Sequence, residues 1–405
     1  MMWACGVRGP VVAVVVASVA WAAKVQAQTE EGFSWRVGRT WQHDDNLFRL
    51  PQGVNPQLVL GTTDAGETVA ITTVGLRYNQ RFGLQRVDFD VALVDYNYQR
   101  YNNLDLTATN YNARWNWFVT PRLHGLLRLE NNQVVNGFGD GANANAGNER
   151  LQRVTAWDAE YEIDGVWRVL GGIAHTRNTN QQPQRGEDSY ITRTADVGVR
   201  YDALSGNSVT LRWRQGSGRN PDPAPVGVNL RDDSYDVSEL SLGVRWRPTG
   251  QMGVNLDLAQ RAQTYARTPV RNHTEPVAAL GVDWVVTGKT SLTARWSTDV
   301  SSFQSNNASY SRSYRTELAL NHRLAARTTV LLSVGQTARR YEQPLPGQLA
   351  DPLRDQTRDV GVTARWSVTP KVQLDTSLRR TSRRANQAGL AFDSTAFQVG
   401  LTGVF

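Results

Sequence analysis

Charged and apolar residues alternate through this chain, and that spacing decides what chemistry the charges can do. Val372, Leu374, Thr376 and Leu378 alternate with Gln373, Asp375, Ser377 and Arg379, and Leu292, Ala294, Trp296 and Thr298 with Thr293, Arg295, Ser297 and Asp299. Successive side chains of an extended strand point to opposite faces. The same parity therefore gathers Arg114, Asp158, Arg200, Arg212, Arg214, Asp257, Arg295, Asp299, Arg365, Asp375, Arg379 and Arg383 onto one polar surface. Such a surface makes cross-strand ion pairs that stiffen a sheet, and pairing is the stronger expectation for any single residue. It also offers many donors to a hydrated, anionic solute, and the surplus of arginine favours cation-lined stretches. Catalytic spacing is missing. His43, His124, His175, His273 and His322 are scattered without a His-Glu-x-x-His motif, and Gly-x-Ser-x-Gly does not occur. No catalytic residue, metal site or cofactor is assigned, and an enzyme is not the expectation, although a site assembled from distant strands stays open.

The elements that must position these charges are strands. The alternation runs in segments of about 10–14 residues down the whole chain without helices, which favours lipid on one side and water on the other. Short turns fall near 80–84, 119–122, 162–165, 203–207, 248–251, 287–290, 324–327 and 367–370. Several share chemistry, as in Val119-Thr120-Pro121, Pro248-Thr249-Gly250, Thr287-Gly288-Lys289 and Val368-Thr369-Pro370. Longer polar loops near 43–66, 99–106, 133–149, 179–189, 219–233, 267–273, 305–309, 342–355 and 386–391 alternate strictly with them. The predicted fold is all-β, a transmembrane antiparallel β-barrel of about eighteen strands with short periplasmic turns and longer extracellular loops. Sixteen strands stay open if the hairpin around 165–202 is not one.

Aromatic and basic residues orient the barrel. Trp117, Trp246, Trp284, Trp296 and Trp366 fall mostly near the short turns, where an indole keeps its ring in the apolar boundary and its N–H in water. With Phe405 they are the expected periplasmic girdle. Arg340, Arg380 and Arg384 fall toward the other end on the outward parity, with Arg339 at a similar height, and are candidates to face lipopolysaccharide phosphates. A solvated rim is the alternative.

The N-terminal stretch reads as a cleaved Sec-type signal peptide over residues 1–27, with Arg8 ahead of the apolar run Val11–Trp21 and Ala27 at the cleavage point. The only cysteine is Cys5, so the barrel, residues 28–405, has no disulfide or thiolate site. The net charge is +7. For an exported chain this does not point to nucleic acid. The final stretch, Gln398 to Phe405, resembles the strand that the barrel assembly machinery reads; Gln398, Gly400 and Phe405 fit, and Gly403 is a weak occupant of an apolar slot. This strand is expected to pair with strand one, near Gly32–Gln42, and remove both edges.

The most individual stretch is His43-Asp44-Asp45-Asn46-Leu47-Phe48-Arg49-Leu50-Pro51, whose apolar Leu47, Phe48 and Leu50 need cover in the barrel mouth or against a neighbour. Asp45–Pro51 resembles the opening segment of EpsL-type outer-membrane proteins of exosortase-linked exopolysaccharide operons. Leu84-Gln85-Arg86, Asn110-Tyr111-Asn112-Ala113, Thr120-Pro121-Arg122-Leu123-His124-Gly125 and Ser205-Gly206-Asn207-Ser208 are similar too, so the resemblance covers essentially the whole mature chain. It implies a Gram-negative outer-membrane barrel that provides or assists passage of exopolysaccharide, with other polysaccharide export proteins and outer-membrane lipid as partners. It assigns no binding residues. A diffusion porin for small solutes and a non-conducting surface anchor are the alternatives.

Overall fold

The structure, a computed structural model, describes residues 31–136, 138, 149–181, 189–221, 234–305, 308–344 and 352–405. The expected signal peptide and the Asn143, Asn145 and Asn148 part of the third loop lie outside them. Eighteen strands account for most of the described chain. The first nine are β1 (Gly32–Asp44), β2 (Glu67–Phe82), β3 (Gln85–Tyr98), β4 (Leu106–Phe118), β5 (Leu123–Val135), β6 (Glu149–Glu162), β7 (Trp167–Asn180), β8 (Tyr190–Asp202) and β9 (Ser208–Arg219). The rest are β10 (Ser234–Thr249), β11 (Met252–Thr264), β12 (His273–Thr287), β13 (Thr290–Ser305), β14 (Ala308–Ala325), β15 (Thr328–Glu342), β16 (Arg354–Ser367), β17 (Val372–Ala385) and β18 (Phe392–Val404). Each pairs antiparallel with its neighbours in sequence, and β18 pairs with β1 from Ala396↔Asp44 to Val404↔Arg36. The sheet is thereby closed and has no edge. β7 and β8 form a regular hairpin, which makes the number eighteen rather than sixteen.

The short turns are tight because their threonines cap them. The Thr120 hydroxyl accepts the Leu123 N–H at 2.9 Å, and Thr369 accepts those of Lys371 and Val372 at 3.2 and 3.0 Å. Thr287 and Thr249 do the same for Lys289 and Gln251 at 3.2 and 3.3 Å. A hydroxyl that closes a local ring to the backbone two or three residues on replaces a backbone turn bond. Asp164 serves the turn between β6 and β7, accepting from Val166 and Trp167 at 2.9 and 2.7 Å. These two N–H groups, Trp167 first, hold its carboxyl below the usual carboxylate value.

Strict alternation of short turns with long loops has one exception. β13 and β14 run so far toward the loop end that only residues 306–307 separate them, in place of an expected loop over 305–309. The first loop carries a short helix, α1 (Pro56–Leu60), capped by the Asn55 side chain and ended at Gly61 in the left-handed conformation.

Candidate functional site: the inner wall and the first loop

Register assigns every strand residue to a face. Val69 and Ile71 of β2, Ala92, Val94, Tyr96 and Tyr98 of β3 and Ala108 of β4 cluster with Leu47 and Phe48 of the first loop and Phe138 of the third. This is the inner face, since two loops cannot cover the same strands from outside while their outward neighbours Val74 and Leu93 stand exposed. Carried round by the cross-strand pairs, the inner face holds Arg114, Asp158, Arg200, Arg212, Arg214, Asp257, Arg295, Asp299, Arg365, Asp375, Arg379 and Arg383. The outer face is apolar, with Leu211, Trp213, Leu240, Leu258, Leu318, Val334, Val360 and Leu378 all exposed.

Most of the inner charges meet in ion pairs. One line crosses β8, β9, β10, β11 and β13. In it Arg212 and Arg214 approach Asp196 at 3.0 and 3.7 Å, and Arg214 reaches Glu239 at 3.1 Å. Arg261 then bridges Glu239 at 2.7 Å to Asp299 at 3.0 Å. Beside it Arg200 pairs with Glu160 and with Asp202 at 3.1 Å, and Arg168 joins both carboxylates. Across the barrel Arg295 meets Asp283 at 2.9 Å and Arg365 meets Asp375 at 2.9 Å. Arg114 approaches Glu130 only at 3.8 Å. These pairs lie along the wall, and glycine makes room for them. A Cβ at Gly281 would stand 2.9 Å from the Arg295 guanidinium, and one at Gly172 3.2 Å from the Asp196 carboxylate.

Three residues, Arg383, Trp117 and Trp296, differ from the expected arrangement. Arg383 is on the inner face but buried, its guanidinium 2.9 Å from Asp355, which also holds Arg339 at 3.1 Å. It ties β15, β16 and β17 together instead of facing open water, and Arg339 faces inward with it. Trp117 is on the outer face but buried, lying over Gly125 and stacked on Trp157 at 5.7 Å between centroids. Trp246, Trp284 and Trp366 are exposed near their turns; Trp296 is exposed further up, opposite Leu280 in mid-strand. Phe33, Trp35, Phe82, Tyr161, Trp167 and Tyr201 stand exposed at the same end, and the spacing of tryptophans alone missed them. Inner residues missed in β1 and β2 are Arg36, which approaches Asp90 at 3.5 Å, and Arg77 and Arg81. Among the described residues Arg77, Arg81 and Arg379 have no ion-pair partner; Arg77 and Arg81 are exposed and Arg379 half-buried.

The first loop is fastened where the barrel closes. Arg49 pairs with Asp44 at 2.8 Å with both side chains buried, donates to Ser394 at 2.5 Å and lies over the Phe392 ring at 5.6 Å. Ser394 in turn donates to Asp44 at 2.8 Å. Asn46 donates to the carbonyls of Leu50 and Asp393 at 3.0 Å each and accepts the Leu50 N–H at 2.8 Å. Asp45 accepts the Thr395 N–H at 2.7 Å. The apolar half of the motif turns the other way. Phe48 packs edge-on against Tyr101 and Phe138 at 4.7 and 4.8 Å, and Leu47 is buried beside it. The segment thus bridges the β1–β18 seam to the wall of β2–β4. Its cover lies inside the barrel mouth.

A closed barrel of eighteen antiparallel strands with an apolar outer face and a charged inner one has the fold of an outer-membrane porin of Gram-negative bacteria. Residues 260–405 match a family model described as "Putative beta-barrel porin 2". Over 93% of its length the chain superposes on 99% of the outer membrane protein OpdK of Pseudomonas aeruginosa, with a TM-score of 0.51 and 11% identity. OccK2 (OpdF) of the same species, solved in complex with glucuronate, gives a TM-score of 0.51 and 13% identity over 92% of this chain and 98% of that one. OpdK with vanillate gives 0.50 and 11% over 92% and 99%. None of the curated proteins matches the chain.

Proposed function

We propose that this barrel is a diffusion channel for small hydrophilic solutes carrying hydroxyl and carboxylate groups. The observation that supports it is the inner wall. Its carboxylates are largely engaged by arginines, while Arg77, Arg81 and Arg379 have no ion-pair partner among the described residues and turn their guanidinium groups toward the interior. A guanidinium exchanges water for a carboxylate or hydroxyl at little net cost, so a solute passes from donor to donor without a deep well. The two structural neighbours solved with glucuronate and vanillate hold carboxylates on the same fold. Proteoliposome swelling tests the reading. Vesicles containing the folded protein should swell in glucose and faster in glucuronate, and vesicles that swell no faster than empty ones would refute it.

A second reading rests on the Asp45–Pro51 segment and its resemblance to EpsL-type proteins: the barrel passes or assists a secreted exopolysaccharide. Deletion should then trap polymer in the periplasm while cell-surface polymer falls. Normal surface polymer together with impaired uptake of small acids would leave only the first reading.

A further inference from the structure

Five exposed arginines cluster on the outer face of β15, β16 and β17 at the loop end, where diffusion through the barrel has no use for them. Arg340 of β15, Arg354 and Arg358 of β16, and Arg380 and Arg384 of β17 all have outward parity and are all exposed. Register sets Arg340 directly opposite Arg354, and sets Arg358 opposite Ser382, flanked by Arg380 and Arg384 on the same strand. Like charges opposite one another weaken a sheet, and the protein supplies little to offset them. Arg384 approaches Asp393 at 3.3 Å, and Arg340 lies over the Tyr314 ring at 5.8 Å. Among the described residues of β15–β17, Glu342 is the one outward acid, two residues from Arg340 on β15. Arg354, Arg358 and Arg380 have no ion-pair partner among the described residues. The inward arginines of the same strands are treated differently, since Arg339 and Arg383 share Asp355. Immediately below the patch Val334, Val360, Val362, Leu378 and Phe397 are exposed, between 39% and 55%, which places the arginines at the upper boundary of the apolar band.

We infer that this patch is a binding site for the phosphates of lipid A, the acylated base of lipopolysaccharide in the outer leaflet. The chemistry requires an anion with several acceptor oxygens, held at the level where acyl chains end. Two phosphates joined to acyl chains meet both conditions, because guanidinium groups grip phosphate oxygens bidentately while the chains cover the valines and Phe397. A phospholipid with one phosphodiester would neutralise fewer of the five charges.

Native mass spectrometry of the full folded barrel in detergent tests this. The probes are hexa-acylated lipid A bisphosphate, its dephosphorylated form and phosphatidylglycerol. The proteins are the unsubstituted chain, the triple variant R354Q/R358Q/R380Q, and R379Q as an inward control, each checked for folding by heat-modifiable mobility. The bisphosphate should be retained by the unsubstituted chain and by R379Q, and roughly tenfold less by the triple variant, the loss of about one charge-assisted contact or more. The dephosphorylated lipid should not compete. Equal retention by the triple variant, equal competition by the dephosphorylated lipid, or tighter binding of phosphatidylglycerol overturns the inference. Should the triple variant fail to fold, R358Q alone carries the test. It is then expected to weaken retention about threefold, with no effect counting against the site.

Discussion

Phe405 and Trp35 exchange both backbone hydrogen bonds, the Phe405 N–H to the Trp35 carbonyl at 2.9 Å and the Trp35 N–H to the Phe405 oxygen at 2.8 Å. Both rings face outward, 62% and 55% exposed, so the β1–β18 seam ends in an aromatic pair. Gly403 is part of this arrangement. A Cβ there would stand 2.9 Å from Phe405 Cε2, so the glycine makes room for the ring rather than leaving an apolar contact unmade.

Removing Phe405 costs two hydrogen bonds, about 1–3 kcal/mol in the assembled barrel, and the contact that finishes closure. The heat-modifiable barrel in outer-membrane fractions should fall several-fold relative to the full chain. Gly403→Val should give a smaller loss, because it displaces the ring without removing it. Full assembly of the Phe405 deletion would show that the seam closes without this pair.

Arg49 sits at a φ of 56°, a region unfavourable for a long side chain, and is held there by Asp44 and Ser394. Arg49→Ala leaves the buried Asp44 carboxylate without its cation, which typically costs about 3–5 kcal/mol. The urea midpoint in detergent should drop accordingly, and cleavage by protease within 50–66 should accelerate. The double variant Arg49→Met/Asp44→Leu should recover much of the stability, since an apolar pair of similar volume avoids the orphaned charge. Unchanged stability and cleavage in Arg49→Ala would remove the latch from the account of closure.

How much of this was legible beforehand follows from what period two can carry. Alternation such as Leu374, Asp375, Thr376 reports a strand and its two faces locally, and the Thr120, Thr287 and Thr369 turns mark where strands end, so the barrel could be read and its strand number narrowed to eighteen or sixteen, the choice resting on the β7–β8 pairing. The position of Leu47 and Phe48 could be anticipated only as a need for cover. Their wall residues, Ile71, Val94 and Tyr96, lie on strands whose inward apolar stretch looks like any other alternation. The partnership of Arg49 with Ser394 joins residues at opposite ends of the chain, and no local pattern encodes it. Trp117 looked like a girdle residue because its burial depends on Gly125 across the turn. Arg354 and Arg358 escaped notice because the boundary of β16 with the preceding loop, and hence their parity, is set by pairing with β15.

Asp64 joins the first loop to the second. Its carboxylate accepts the Gly66 N–H at 2.8 Å and holds Arg100 at 2.5 Å; these partners, Gly66 first, keep it below the ordinary carboxylate value. A carboxyl with a lowered folded pKa contributes stability that is fully present above its unfolded value of about 3.9 and is lost as pH falls through the folded one. The group is exposed, so the contribution is small and weakens with salt. Exchange protection of the Gly66 amide should therefore be constant from neutral pH down to about 5 and decline below about 4. Asp64→Asn should show the low-pH protection at every pH. Equal protection in the variant at neutral pH would mean that the clasp does not order the loop.

Arg379 offers the sharpest test of solute preference. It faces inward from β17, opposite Gly361, and has no ion-pair partner among the described residues. Its neighbours on the same face, Asp375 and Arg383, are occupied by Arg365 and Asp355, so changing it frees no other charge. At about 4 Å in water one unit charge is worth about 1 kcal/mol, a factor of about five in local ion concentration. Arg379→Glu should therefore shift the reversal potential in a salt gradient toward cations, by up to that factor in the permeability ratio for each of the two unit charges it changes. The shift should shrink as salt rises and the Debye length contracts. Arg379→Gln should move it about half as far. Arg384→Gln, on the outer face of the same strand, should leave it unchanged. A reversal potential insensitive to Arg379→Glu at low salt would place this guanidinium outside the ion path.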